Sequence, residues 1–128
     1  MSTPDPAVDR LGISCERRPD GSWTASMTVS SDDVNSHGVC HGGIVFLLGD
    51  AVFDRVTNSE LPEGQVAFAA NASVDFVRPG IVGDTLTAVG KATDRWGRST
   101  LVDVTVYNGA EEAVAHFRGK TRTVNVDR

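Results

Sequence analysis

The chain has 128 residues, of which 40% are hydrophobic, and it carries a formal net charge of −5. This length suits one domain with a buried core and is too short for two. The acidic balance argues against a nucleic-acid-binding protein, because such domains usually carry a basic excess. We therefore expect a single domain over residues 11–128, preceded by a loose tail over residues 1–10 that contains two prolines.

Membrane segments and bound metals are not indicated by the sequence. No apolar run reaches the roughly 20 residues of a membrane span, and the N-terminus lacks the layout of a signal peptide. We therefore expect a cytoplasmic protein with no membrane partner. The two cysteines, Cys15 and Cys40, predict free thiols rather than a disulfide framework. His37, Cys40 and His41 lack a recognised ligand spacing and a fourth partner, so we expect no metal and no cofactor.

Alternation of apolar and polar residues predicts several strands. Residues 22–30 place Trp23, Ala25, Met27 and Val29 on one face. A longer run over residues 65–79 places Val66, Phe68, Ala70, Ala72, Val74 and Phe76 on a common face and ends at Pro79. Further β-rich stretches follow over residues 84–93, 99–109 and 111–126. The second half therefore reads as antiparallel strands.

One long helix is predicted between the early and late strands, from Gly42 to Thr57, because this run is too long for a typical strand. Its apolar residues point nearly all the way round, which in a soluble protein predicts a helix buried on every side. A single helix among antiparallel strands implies an α+β fold with the sheet curled around that helix. We expect a second subunit to cover the remaining apolar surface.

The predicted helix carries one polar stripe, formed by Gly43, Asp50, Asp54 and Thr57. An unpaired carboxylate such as Asp50 costs several kcal/mol to bury unless a partner or a shifted pKa relieves it. The polar stripe either faces water, with Asp50 as a solvated carboxylate, or lines a binding or catalytic site. From the pattern alone both interpretations stay open.

The Gly-rich start of the helix favours a site. In "HGG", unpaired N–H groups and the positive end of the helix dipole suit an oxygen that gains negative charge. Seven residues separate Gly43 from Asp50, which places them about 10 Å apart along the axis. One helix cannot direct both groups at the same carbon, since attack needs about 3 Å. If the two act together, Asp50 must come from a partner subunit.

The run from Asn35 to Ser59, with "VDFVRPGIVGDTLTA" and "FRGKTR", resembles the hotdog-fold acyl-CoA thioesterases of the phenylacetic-acid degradation type. The resemblance extends over residues 11–124. It implies an antiparallel sheet wrapped around one long helix, with active sites between the subunits of a homodimer and dimers paired into a homotetramer. The implied reaction is hydrolysis of an acyl-CoA to a free acid and coenzyme A.

Four site residues follow from the resemblance. It makes Asp50 the catalytic nucleophile or general base, and it makes the Gly43 N–H the group that polarises the thioester carbonyl across the subunit interface. His41 and Asn35 match positions that shape the pocket, with positioning or leaving-group assistance as their roles. The implied substrate is an aryl- or arylacetyl-CoA such as phenylacetyl-CoA or its hydroxylated forms, although Asp54 and Arg55 stand where relatives often have small or aromatic residues.

Basic residues of the second half are candidates for coenzyme A phosphates. Residues 78–122 hold seven Lys and Arg against five Asp and Glu, whereas residues 1–77 hold four against eleven. We expect Arg78, Arg95, Arg98 and Lys120 to contact the phosphates, with solvated charges on strand edges as the alternative.

Two other functions stay open. A hotdog hydratase or dehydratase usually brings a His in a Gly-Phe-Pro-like loop, and no such stretch is present. A non-catalytic acyl-CoA-binding module would keep the Gly-rich helix start, with Asp50 in a structural hydrogen bond only.

Overall fold

The computed structural model describes residues 4–126. Within this range the elements are α1 (Pro6–Arg10), β1 (Ser14–Arg17), β2 (Trp23–Thr28), α2 (Gly42–Asn58), β3 (Gln65–Phe76), β4 (Thr85–Trp96), β5 (Ser99–Tyr107) and β6 (Ala113–Asn125). The strands form one antiparallel sheet in the order β1-β2-β4-β5-β6-β3. The predicted α+β architecture, a sheet curled around one long helix, is confirmed. Among the described residues no helix is both long enough and apolar enough to cross a membrane.

The core lies between α2 and the inner face of the sheet. Val45, Leu48, Val52 and Phe53 are at most 3% exposed. They recur at helical spacing, which gives α2 the apolar face that a covering sheet requires. The predicted start of the helix is confirmed, and its end lies one residue beyond the predicted Thr57.

The prediction that the helix is buried on every side is wrong for the single chain. Ile44, Phe46 and Leu47 are only partly buried. The sheet curls around one side of α2 and leaves the other side, with part of its apolar surface, uncovered.

A bulge in β3 overturns one predicted face. The register with β6 shifts between Ala69 and Asn71. Beyond the shift, Val74 pairs with the buried Phe117 and faces the helix, whereas Phe68, before it, is 59% exposed on the outer face. The prediction that Phe68 and Val74 share a face is therefore wrong, because one extra residue reverses a period-two alternation.

The N-terminal segment is more ordered than the sequence suggested. Residues 1–3 lie outside the described residues, but Asp5 caps α1 by accepting the Val8 N–H at 3.3 Å, and Val8 is 4% exposed in the core. The prediction of a loose tail is wrong for this helix. The short strand β1 was not predicted either, because four mostly polar residues give no alternation signal.

Two glycines allow α2 and the strands to pack closely. A Cβ built on Gly90 of β4 would lie 2.7 Å from Val104 Cγ2 and 3.0 Å from Val52 Cγ1. A Cβ built on Gly119 of β6 would lie 2.6 Å from Phe53 Cζ. Real Cβ atoms do not approach other heavy atoms so closely, so larger residues would force the helix and the sheet apart.

We expect Gly90→Ala to lower the free energy of unfolding by about 1–3 kcal/mol, because the added methyl group meets both β5 and α2. Chemical denaturation measures this loss. Thr87→Ala, on the outer face of the same strand, is the matched control and should change stability by less than about 1 kcal/mol. Equal stability of Gly90→Ala and the native chain would contradict the close packing.

Candidate active site

His41 is the N-cap of α2. Its backbone carbonyl accepts the N–H groups of Ile44 at 2.9 Å and Val45 at 3.1 Å. Its side-chain Nδ1 accepts the Gly43 N–H at 3.1 Å. Because Nδ1 is an acceptor, a neutral His41 carries its ring proton on Nε2, which can donate a hydrogen bond.

The two glycines of "HGG" therefore differ. The Gly43 N–H is bonded to the His41 side chain, whereas the Gly42 N–H has no acceptor within residues 4–126. An oxygen bound at this end of the helix meets the Gly42 N–H without any rearrangement, and reaches the Gly43 N–H only if the His41 side chain moves away. The sequence predicts Gly43 as the residue that polarises the carbonyl, but the two glycines give the same sequence signal, so the pattern does not distinguish Gly43 from Gly42.

Asn35 organises the loop that precedes α2. Its Oδ1 accepts the His37 N–H at 2.9 Å and the Val39 N–H at 3.4 Å. The loop is further fixed because the Cys40 N–H donates to the Gly80 carbonyl at 2.8 Å. This network holds the entry to the helix in one conformation.

A cavity of about 390 Å³ lies beside the start of α2. Asn35, Gly42, Phe76 and Arg78 are among the residues that line it. The structure thus brings Asn35 and Arg78 to the end of the helix that His41 caps. The free Gly42 N–H belongs to a residue of this cavity wall.

Asp50 lies near the middle of α2 and is partly buried. It comes four residues after Phe46 and three before Phe53, and both rings pack against Phe117 of β6 at centroid distances of 5.1 and 5.5 Å. Residues at these spacings share a helix face, so Asp50 lies on the side of α2 that is next to β6 and β3. The exposed part of the inner face of β3, with Phe76 at 53% exposure, is on this side.

The electrostatic surroundings of Asp50 disfavour its charge. Burial raises the pKa of the Asp50 carboxyl above its ordinary value, and the negative charges of Asp54 and Asp5 raise it further. None of the ion pairs formed among residues 4–126 includes Asp50. A partly buried carboxyl with a raised pKa is more typical of a functional site than of a solvated surface, so this environment favours the site interpretation over the solvated stripe.

The four basic candidates lie in different places. Arg78 lines the cavity at the start of α2 and is held by Ala113 O at 2.9 Å and Glu112 at 3.7 Å. Arg95 and Arg98 line a second cavity at the opposite end of the sheet. Lys120 pairs with Asn71 and Leu101 and sits on the outer face, away from the helix. One phosphate group cannot meet all four.

The other chemistries considered from the sequence find little support. Among the described residues, no cluster of three His, Cys, Asp or Glu side chains could hold a metal ion. Burial, with the nearby charge of Asp33, raises the pKa of the Cys40 thiol to about 11. A thiol that stays protonated at neutral pH is a poor nucleophile.

Comparison with known proteins shows the family to which the chain belongs. The family model described as "Thioesterase superfamily" matches residues 37–115. The acyl-coenzyme A thioesterase PaaI of Escherichia coli is 35% identical over 120 residues, covering 94% of this chain and 84% of the relative.

Solved structures give the same result. The E. coli PaaI protein from the phenylacetic acid degradation operon superposes with a TM-score of 0.86 at 34% identity, covering 96% of this chain and 88% of that one. A mutant of the phenylacetic acid degradation protein PaaI from Thermus thermophilus superposes with a TM-score of 0.83 at 27% identity, covering 92% and 98%. The predicted hotdog fold is thereby confirmed. The chain belongs to the thioesterase superfamily and is a hotdog-fold thioester hydrolase.

Proposed function

We propose that the protein hydrolyses acyl-CoA thioesters to a free acid and coenzyme A, with Asp50 as the catalytic carboxylate. The observation that carries this proposal is the partly buried Asp50, with a raised pKa, on the side of α2 next to the partly exposed inner face of β3. The 35% identity to an E. coli acyl-coenzyme A thioesterase supports the substrate class. The phenylacetic acid degradation operon of that relative supports an aryl- or arylacetyl group, such as phenylacetyl or its hydroxylated forms.

The active unit in this proposal is a homodimer. Gly42 and Gly43 lie about 10–12 Å from Asp50 along the same helix, too far apart to act on one carbonyl carbon. Among residues 4–126, β3 is an edge strand with no neighbour on one side, and its inner face is only partly covered. A second copy with its α2 antiparallel would cover this surface and place its helix start beside Asp50. Two such dimers would pair as a homotetramer.

In the reaction, N–H groups at the start of one α2 polarise the thioester carbonyl, and Asp50 of the other chain acts on its carbon. Asp50 either attacks directly, giving a mixed anhydride that water then hydrolyses, or removes a proton from an attacking water. In both routes the C–S bond breaks and the thiolate of coenzyme A leaves. The Nε2–H of His41 can stabilise that sulfur, while Asn35 holds the loop that positions His41.

In this proposal the side chains and backbone N–H groups of the protein perform the reaction without a cofactor. Coenzyme A is part of the substrate. Coenzyme A phosphates need cationic partners, and Arg78, Arg95, Arg98 and Lys120 remain the proposed set. Arg78 is the member nearest the start of α2, but Glu112 and Ala113 already engage it.

We expect Asp50→Asn to lower kcat by at least about 100-fold, in line with loss of a catalytic base or nucleophile. The measurement is release of free thiol from phenylacetyl-, hydroxyphenylacetyl-, benzoyl- and straight-chain acyl-CoA. Near-native turnover of this variant would contradict the role of Asp50.

The same variant carries its own folding control. Because burial raises the pKa of Asp50, the charged form destabilises the folded state as the pH rises above the ordinary aspartate range. Asp50→Asn removes that cost, so thermal unfolding should show equal or greater stability at neutral pH. Lost activity with a lowered melting temperature would indicate misfolding instead.

The pH dependence of kcat/KM tests the neighbours of Asp50. Activity requires its ionised form, so turnover falls as the pH drops through the raised pKa. Asp54→Asn removes a nearby negative charge, lowers that pKa, and should move the acid limb of the profile to lower pH. Asp32→Asn, at an exposed loop position, is the control and should leave the limb in place. An unmoved limb in Asp54→Asn would contradict this electrostatic coupling.

A further inference from the structure

A polar cavity of about 350 Å³ lies at the end of the sheet beyond the C-terminus of α2. It is formed where the hairpin between β4 and β5 meets the start of β3 and the end of β6. Its polar lining includes Arg95, Arg98, Thr100, Thr123, Gln65 and Asn125. None of these side chains acts on the thioester at Asp50, although Arg95 and Arg98 belong to the set proposed for the coenzyme A phosphates.

The lining is rich in hydrogen-bond donors. Arginine donates only, and hydroxyl and amide side chains can each donate. Of the lining residues within the described range 4–126, none carries a carboxylate. Neither Arg95 nor Arg98 takes part in the ion pairs found in that range. Two free guanidinium groups with neutral donors are the partners that a phosphate prefers in proteins.

A bulge in β4 directs Arg95 into this cavity. The register with β5 shifts between Ala92 and Asp94, so that Ala92 pairs with Val102 and Arg95 pairs with Thr100. Thr100 in turn pairs with Thr121, which is 1% exposed on the helix side of the sheet. Without the extra residue, alternation would place Arg95 on the outer face. The bulge therefore turns a cation inward where the sheet ends.

Arg98 is fixed by a separate contact. It lies in the tight turn between β4 and β5, next to Gly97, whose φ is +55°. The Thr123 N–H donates to the Arg98 carbonyl at 2.8 Å, which attaches the turn to β6. Both arginines thus emerge from backbone that neighbouring strands hold in place.

Nearby acids do not neutralise the cavity. Glu60 and Asp20 border the adjoining groove with Arg95. Glu60 pairs with Arg17 at 2.8 Å, and Asp20 accepts the Ser22 N–H at 2.9 Å and the Ser22 hydroxyl at 2.6 Å. Asp94 accepts the Arg95 backbone N–H at 2.8 Å but pairs with Leu101, whose neighbours on the strand face the core, so it lies on the outer face. The positive charge of Arg95 and Arg98 is left for a ligand.

We propose that this cavity binds a phosphate monoester and that its source is the 3′-phosphate of the coenzyme A carried by the substrate. The choice of coenzyme A as the source of the phosphate rests on the proposed function. The binding of a phosphate monoester in this cavity does not. Eight residues of α2 separate Asp50 from Asn58 at the end of the helix, which is about 12 Å. A carrier with a long thiol arm and a phosphorylated nucleotide can extend from the reacting carbonyl to such a distant site.

Calorimetric titration of the full-length protein tests the cavity without any turnover. The probes are coenzyme A, 3′-dephospho-coenzyme A, adenosine 3′,5′-bisphosphate and inorganic phosphate. We expect coenzyme A to bind about 10- to 100-fold more tightly than the dephospho form, as the loss of a charge-assisted bidentate contact predicts. Arg98→Gln should abolish that difference. Arg122→Gln, at an exposed arginine on β6 outside the cavity, is the matched control and should preserve it.

Three results would overturn the proposal. Equal binding of coenzyme A and its dephospho form by the native protein would exclude the 3′-phosphate as the ligand. Binding of inorganic phosphate as tight as that of the bisphosphate, lost in Arg98→Gln, would make the cavity a site for free phosphate. Unchanged binding in Arg98→Gln, with lowered thermal stability, would show that the arginines only stabilise this end of the sheet. Absence of thioester turnover would count against the proposed function but not against these titrations.

Discussion

The close packing of α2 against the sheet at Gly90 and Gly119 determines where every polar group of the helix lies. With no side chain at either glycine, Val52 and Phe53 reach the strands, and the rotation of the helix about its axis is fixed. Once Val45, Leu48 and Val52 face the core, Asp50 and Asp54 must point away from it. The position of the candidate carboxylate is thus a consequence of core packing.

That packing leaves the molecule incomplete on one side. The sheet covers α2 along β2, β4 and β5 but leaves part of the inner face of β3, including Phe76, exposed. Asp50 borders this gap, and the loss of water around it raises its pKa. A second copy would exclude more water and bring in the start of another helix. The proposed reaction therefore depends on the same surface beside α2 and β3 that a single chain leaves exposed.

Periodic sequence patterns predicted the regular parts of this fold. The apolar run after "HGG" gave α2 to within one residue, and alternation gave the strands of the second half. The patterns failed where single residues break the period, at the bulges in β3 and β4, so Phe68 and Arg95 lie on faces that alternation does not predict. The tail did carry a signal, because Asp5 followed by Pro6 is typical of a helix start.

The sequence proposed the residues of the candidate site but not their arrangement. Asp50 comes from the helix pattern and the family resemblance, His41 and Asn35 come from the resemblance, and their catalytic roles stay predictions. Which glycine offers a free N–H depends on the His41 side chain, whose conformation the sequence does not specify. Arg78 lies far from Arg95 and Arg98 because of the order of the strands in the sheet. Counting charges along the sequence does not reveal that order.

The proposed reaction requires that each site use Asp50 of one chain and the helix start of another. Proline in the first turn of a helix removes an N–H that has no partner within the helix. For Gly42→Pro, His41 already has the extended ψ of 132° that a following proline requires. Gly42→Pro and Gly43→Pro are first assayed as homodimers, and the variant that abolishes turnover is chosen. The chosen variant is then co-expressed with Asp50→Asn. Two different affinity tags allow the mixed dimers to be purified.

The measurement is thiol release by these mixed dimers. One of their two sites combines a native Asp50 with a native helix start, so a shared site predicts recovery of about half of the native turnover. Dimers of two differently tagged Asp50→Asn chains are the control and should stay inactive. Mixed dimers that fold and assemble but recover no activity would contradict a site shared between subunits.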